Sequence, residues 1–266
     1  MTVEKTAEKN WGRNMLAAER RNLILEKVHE EKKVIVSELS KEFDVSEETI
    51  RRDLDKLEED GHVIKSYGGA VLNEKGSIDL PFNVRWRSNT QGKQKIAELI
   101  SEEIEDGDHI ILDASTTAVF IAKNIKQKRH LTVITNSIEI LLELSDVSGW
   151  DIIATGGLLK AGSMSLLGKK AADSISSYHV DKAFLSCKGI DLEKGVTDGN
   201  DETGGVKQNM IAAADKVYLA VDSSKFGKKA LSKICGLSEV DVIVTDEKPD
   251  GAWMDAFQRM GIDFLV

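Results

Sequence analysis

Five short stretches of small and polar residues have the composition of an anion-binding site. Asp113-Ala114-Ser115-Thr116-Thr117 follows an apolar run and opens directly into a helical pattern. Hydroxyls and free backbone N–H groups at a helix start make an anion site, with phosphate the natural guest. Thr135-Asn136-Ser137 repeats the arrangement, and Thr155-Gly156-Gly157 offers glycines that let backbone approach a ligand. Cys187-Lys188-Gly189-Ile190-Asp191 is followed by Gly195-Val196-Thr197-Asp198, and Asp222-Ser223-Ser224-Lys225-Phe226-Gly227 supplies in Lys225 a point charge for phosphate. Taken singly, each has a plainer reading: Thr-Asn-Ser is a common helix cap, Gly-Gly a common turn, and Asp113 a cap for its neighbours. Their weight comes from each closing a strand-like run of what should be one sheet. The chain contains neither a Walker A pattern nor G-x-G-x-x-G, which disfavours a nucleotide or dinucleotide site.

A second chemistry sits near the N-terminus, in VSELSKEFDVSEETIRRDLDKLEEDGHVIKSY (36–67). Val36, Leu39 and Phe43 form one apolar helical stripe, and Ile50, Leu54 and Leu57 another. Ser37 can cap the first helix and Ser46 the second. Only the few residues around Asp44 and Val45 separate them, so the helices should cross steeply. Thr49, Arg51, Arg52, Asp55 and Lys56 point away from the second stripe. Two outward arginines early in a second helix suit phosphate contacts and bidentate reading of guanine. Gly61 ends the helix, after which 62–65 and 69–72 can pair as a wing turned at Gly68-Gly69. This is a winged helix-turn-helix. Arg51 and Arg52 are expected on base edges or phosphate, Thr49 on phosphate or a thymine methyl, and Ser46, Lys65 and Tyr67 on the DNA backbone. The plainer alternative is a three-helix scaffold with a solvated charged face.

The elements that must hold these residues follow from the pattern of the whole chain. It has 266 residues, room for one large or two ordinary domains, with 41% hydrophobic and 30% charged residues, as in a soluble globular protein. No apolar run approaches a membrane span, and no signal-peptide core is seen, so the expected setting is the cytoplasm without a membrane partner. Cys187 and Cys235 give no disulfide framework, and the five histidines show no i, i+4 pair, so no metal site is expected. The net charge of −9 sits awkwardly with DNA binding, the more so because the first seventy residues are themselves slightly acidic. Binding should then rest on a few placed Arg and Lys and on dimerisation rather than on a broad basic patch. Affinity should fall steeply with salt and be weak for non-specific DNA.

Residues 1–17 read as a flexible leader and 18–73 as the winged helix-turn-helix, opened by an amphipathic helix with Ile24, Leu25 and Val28 inward. Residues 74–92 read as a linker, where Phe82, Val84 and Trp86 are apolar and alternate. From Lys93 to Val266 helical stretches (93–105, 117–126, 137–145, 169–177, 202–214, 251–260) alternate with strand-like runs (109–113, 131–135, 151–155, 182–187, 216–222, 240–246, 262–266). That alternation implies a mostly parallel sheet covered on both faces, with ligands at the C-terminal strand ends.

Both halves resemble one family. IVSELSKEFDVSEETIRRDLDKLEEDGHVIKSYGGAV is similar to the N-terminal signature of the DeoR family of bacterial repressors. LDASTT, ITNS, TGG, KGID..KGVTD.N..E and LAVDSSKFG resemble its C-terminal sensor domain. The resemblance implies an α/β sensor similar in fold to ribose-5-phosphate isomerase and glucosamine-6-phosphate deaminase, which binds a phosphorylated sugar and needs no cofactor. It implies that Ser115, Thr116 and Thr117 hold phosphate with Lys225 nearby. It places Asp113, Asn136, Asp198 and Glu202 on sugar hydroxyls, Gly156 and Gly157 beside them, and Lys207 at a carbonyl or carboxylate end. The chain departs from the pattern at Gly92, where an acidic residue is expected, at Ser115, where glycine is common, at Lys188, and at Thr203-Gly204-Gly205. The implied protein is a repressor of a carbohydrate operon, relieved by its sugar phosphate. It should bind as a homodimer or homotetramer to operator half-sites about 10 base pairs, or a multiple, apart. Two other readings remain: a sugar-phosphate isomerase or deaminase with an appended DNA-binding domain, and a sensor for an unphosphorylated ligand or a protein. For catalysis Asp191, Asp198 or Glu202 would have to act as base, and Lys188 should lower the basicity of one of them.

Overall fold

The computed structural model describes residues 15–73 and 80–266, so nearly all of the leader and part of the linker lie outside the described residues. The chain divides into two compact units, with the boundary along the sequence between Ser88 and Asn89. In the first, α1 (Ala17–Glu31), β1 (Lys33–Ile35), α2 (Val36–Glu42) and α3 (Glu47–Glu59) are followed by β2 (Val63–Ser66), β3 (Gly69–Leu72) and α4 (Phe82–Arg87). The three apolar stripes meet as expected, in one buried cluster with Ile24, Leu25, Val28, Leu39, Phe43, Ile50, Leu54 and Leu57. Each such burial is worth about 1.5–3 kcal/mol against an exposed side chain. Asp44 takes a left-handed φ of 50° in the turn between α2 and α3. A buried pair, Arg20 Nε to Asp53 Oδ2 at 2.5 Å, ties α3 to α1.

Three local expectations change. Ile35, not Ser37, is the N-cap of α2, because the chain enters that helix straight from β1; Ser37 lies inside its first turn. The wing turns at Tyr67-Gly68, with Gly68 at φ 79° and Gly69 already paired to Ser66. β1 adds a third strand to the wing, in the order β1-β3-β2. The alternating Phe82, Val84 and Trp86 form a short helix: over six residues a spacing of two fits either period, and Phe82 and Trp86, four apart, stack at 6.1 Å.

The second unit runs α5 (Thr90–Glu103), β4 (His109–Leu112), α6 (Thr116–Asn124), β5 (Thr132–Thr135), α7 (Ile138–Leu144), β6 (Asp151–Ala154), a hairpin of β7 (Leu158–Lys160) and β8 (Ser165–Leu167), and α8 (Lys169–Ile175). It continues through β9 (Val180–Leu185), β10 (Gly189–Asp191), β11 (Gly195–Asp198), α9 (Asp201–Ala212), β12 (Ala214–Ala220), β13 (Ser232–Cys235), β14 (Val242–Val244), α10 (Gly251–Met260) and β15 (Asp263–Leu265). The seven expected strand runs form one sheet in the order β15-β14-β12-β9-β4-β5-β6, every pair parallel. Its central strands are buried on both faces: Ala183 and Leu185 join the cluster beneath α8 and α9, while Phe184 between them meets Tyr218 at 4.8 Å. A small antiparallel sheet, β10-β11-β13, and the β7–β8 hairpin lie outside the main sheet. The main-sheet strands were legible as continuous apolar runs because they are covered on both faces, whereas β7, β8, β10, β11 and β13 lie outside that sheet and lack such runs. α5 begins at Thr90 because Asn89 caps it, its Oδ1 accepting the Gly92 N–H at 3.2 Å.

Candidate functional site

The strand order places a switch point between β4 and β9. From β4 the chain proceeds through β5 to β6 on one side, then returns through β9 to β12, β14 and β15 on the other. Crevices at such points, at the carboxyl ends of the strands, are where open α/β sheets bind ligands. Asp113 leaves β4 at this place and is 1% exposed. Its Oδ2 accepts the Ser186 N–H at the end of β9, 2.8 Å away, and its Oδ1 accepts the Ser115 N–H at 3.0 Å. One carboxylate therefore spans the switch point and fixes the loop that opens α6.

Lys207, from α9, fills the space beneath. Its Nζ donates to the Ser186 carbonyl at 2.6 Å and Asp198 Oδ2 at 2.8 Å, and lies 3.1 Å from Asp113 Oδ2. Two of the ammonium's donors are thus hydrogen-bonded, and its charge is shared with Asp113 as an ion pair. Burial alone would depress the Lys207 ammonium, but Asp198 and Asp113 together outweigh it and raise its pKa above the usual lysine value. Burial likewise opposes ionisation of Asp198; the Lys207 charge and hydrogen bond, the Gly199 N–H and, least, Lys188 hold its carboxyl below the usual range. Lys188 acts in the anticipated direction, with Lys207 as the larger influence. Burial pushes the neighbouring Cys187 thiol up to about 12, so it stays protonated.

The anion loop itself is formed by the start of α6. Ser115 is the N-cap, its Oγ accepting the Ala118 N–H at 3.0 Å. The N–H groups of Thr116 and Thr117 precede the first intrahelical hydrogen bond and have no partner within the helix. On the next strand, Asn136 Nδ2 donates to Leu166 O of β8 at 3.1 Å, while its buried Oδ1 accepts no hydrogen bond among the described residues. Such an acceptor is a costly vacancy unless a donor arrives. Gly156 and Gly157 follow β6 with φ of 67° and 115°.

The remaining expected residues are spread around this centre. Lys225 Nζ lies 4.0 Å from Asp222 Oδ2, in the loop after β12. Glu202 is exposed and faces Lys160 of the hairpin at 3.7 Å. Asp113, Asp198 and Lys207 are thus in contact, with Ser115–Thr117 attached to them, while Glu202 stands apart. Sequence reasoning passed over Ser186, whose contribution is wholly through its backbone, and Asp246, which accepts the Ser223 N–H at 2.7 Å and the Asn89 amide at 2.9 Å. The signal for Asp246 was its position at the end of the strand-like run 240–246. Among the described residues no group of three His, Cys, Asp or Glu is placed to hold a metal ion.

In the first unit, Ser46 caps α3, accepting the Thr49 N–H, and its Oγ lies 2.9 Å from Thr49 Oγ1. Arg51, Arg52 and Lys56 are exposed on α3, Lys65 and Tyr67 on the wing. Each cation has an acidic partner: Arg51 with Glu47 at 2.5 Å, Arg52 with Glu48 at 3.2 Å, Lys56 with Glu59 at 2.8 Å, and Lys65 with Asp55.

Residues 20–76 match the family model of the DeoR-like helix-turn-helix domain, and residues 88–247 that of the DeoR C terminal sensor domain. An uncharacterized HTH-type transcriptional regulator of Bacillus subtilis is 43% identical over 92% of this chain and 94% of its own length. An HTH-type transcriptional repressor of the same organism is 37% identical over 95% of this chain and 97% of its own. Ribose 5-phosphate isomerase A from Methanocaldococcus jannaschii aligns over 52% of this chain and 55% of that one, with 18% identity and a TM-score of 0.37.

Proposed function

The chain belongs to the DeoR family of regulators, and from that premise we propose that it represses a carbohydrate operon and is released from DNA by a phosphorylated sugar. Residues 18–73 would read the operator through α3 and the wing, as a homodimer or homotetramer. Residues 93–266 would sense the effector, with 74–92 joining them. It would work in the cytoplasm; among the described residues no helix is long and apolar enough to cross a membrane.

One observation carries the effector reading: the start of α6 is held at the switch point by Asp113, with the Thr116 and Thr117 N–H groups available to an anion. The vacant Asn136 Oδ1 on the adjacent strand asks for a donor such as a sugar hydroxyl. Asp113 and Lys207 are committed to each other and to Ser186, so their part is to hold the loop rather than to touch the ligand first. Lys225 would supply charge at the phosphate. We further propose that the protein turns nothing over. The best-placed base, Asp198, is ion-paired to Lys207 and held below the usual carboxylate range, which makes it a poor proton acceptor.

A thermal-shift panel of pentose, hexose and deoxy-sugar phosphates, their free sugars and inorganic phosphate tests this reading. One phosphate ester should raise Tm where its free sugar does not, and Lys225→Ala should weaken that shift. No response to any phosphate ester would overturn the sensor assignment. Conversion of a sugar phosphate above the buffer rate would overturn the regulator-only reading. Arg52→Ala should weaken binding to operator DNA and flatten its salt dependence; an unchanged affinity together with an unchanged slope would remove Arg52 from the interface.

A further inference from the structure

We infer that Glu47 and Glu48 are specificity determinants: they hold Arg51 and Arg52 back from non-cognate phosphates, so that the arginines engage DNA only in the correct register. The inference rests on the DNA-binding reading of α3. Both carboxylates occupy the first turn of that helix, the end that meets base edges in helix-turn-helix complexes. Each pairs with the arginine four residues on, Glu47 with Arg51 at 2.5 Å and Glu48 with Arg52 at 3.2 Å.

These pairs contribute little to folding, since all four side chains are at least 47% exposed and water screens them. Their consequence is for binding. Non-specific affinity comes from cations that neutralise phosphates and release counterions. An arginine paired with a carboxylate on its own helix presents less net positive charge and so favours phosphate less, and moving it to a phosphate leaves that carboxylate bare in the negative field of DNA. A cognate site changes the balance, because a guanidinium that finds a guanine edge gains two directional hydrogen bonds absent elsewhere. Lys56 with Glu59 and Lys65 with Asp55 extend the same screen across the face.

The test uses the full chain and two probes: a duplex selected by the unaltered protein from a random-sequence library, and a scrambled duplex of equal length. E47Q/E48Q is compared with E30Q/E31Q, which changes net charge equally on α1, and thermal melting checks that both fold. Each arginine freed should steepen the salt slope on scrambled DNA by about 0.9, so a fourfold rise in salt weakens binding about 3.5-fold more. For E47Q/E48Q the scrambled duplex should bind roughly tenfold tighter at low salt, consistent with two extra phosphate contacts per protomer. The preference for the selected duplex should shrink accordingly. Unchanged scrambled-DNA binding and slope would overturn the inference. So would an equal effect of E30Q/E31Q, which would reduce it to net charge, or a loss confined to the selected duplex, which would make the glutamates base readers. Failure of the unaltered protein to select any duplex would instead overturn the DNA-binding reading, and the inference with it.

Discussion

Lys207 is buried, hydrogen-bonded to Asp198 and the Ser186 carbonyl, and ion-paired with Asp113. Lys207→Met keeps much of the stem volume and leaves two buried carboxylates without their cation. Breaking a buried ion pair from one side costs about 3–5 kcal/mol, and a fall of that size in urea-derived stability is expected. The pH dependence follows from the directions of the two shifts. Asp198 is lowered, so its contribution is complete above the unfolded carboxylate value, near 3.8, and disappears as pH falls through the folded value. Lys207 is raised, so its contribution is complete below 10.5 and disappears as pH rises through its folded value. Between about pH 5 and 10 the pair should therefore add a constant stability to the unaltered protein, whereas in Lys207→Met burial alone would act on Asp198 and raise its pKa, so the Tm gap should narrow as pH falls; a gap independent of pH would contradict this account. The sequence marked Asp113, Asp198 and Lys207 separately. Their mutual contact depends on β4 lying beside β9, a neighbour relation set by the sheet and not by local pattern. Ser186 was invisible for a different reason, since a backbone N–H and C=O carry no side-chain signature.

At the scale of elements, the starts of helices are the most legible features and the short strands the least. Ser46, Ser115 and Ser137 each cap the helix they precede, because a hydroxyl at that place satisfies an N–H that nothing else reaches. Gly92 shows what the pattern could not supply. A Cβ there would overlap the Asn89 amide, 2.5 Å from its Nδ2 and 2.7 Å from Oδ1, and would press on Asp246. The tight N-terminal turn of α5, with Asn89 at φ 43°, accounts for glycine where the family resemblance leads one to expect an acidic residue. Gly92→Ala should displace the cap and cost about 1 kcal/mol or slightly more, read as a lower urea midpoint with an unchanged slope. Gly157→Ala should cost more. Its φ is 115°, and the added methyl would stand 2.6 Å from the Leu167 carbonyl, a backbone atom that cannot turn aside. About 1–3 kcal/mol of strain is expected, together with a weaker response to the sugar phosphate, because Leu166 beside it carries Asn136. A Gly157→Ala protein of unaltered stability would show that the β7–β8 hairpin adapts freely.

For the whole molecule, a net charge of −9 is a sum that hides where the charges lie. The structure turns the apparent conflict with DNA binding into a local arrangement, in which the cations of α3 and the wing are present and each is screened by a carboxylate. The division at Ser88 and Asn89 has a thermodynamic consequence. Each unit encloses its own apolar cluster, so each can melt as its own cooperative transition. A ligand stabilises only the unit that binds it. At a hundred times its dissociation constant, a sugar phosphate adds about 2.7 kcal/mol to the second unit. For a unit of that size the shift is roughly 5–10 °C. Calorimetry should then show the transition of residues 89–266 moving up while that of the first unit stays in place, and cognate DNA should move the first unit by the same logic. If one transition moved as a whole under either ligand, the units would be unfolding together. Effector and operator would then be coupled through a shared folding equilibrium, and the release of DNA by the sugar would have to be sought in that shared stability rather than in a change of state within the sensor.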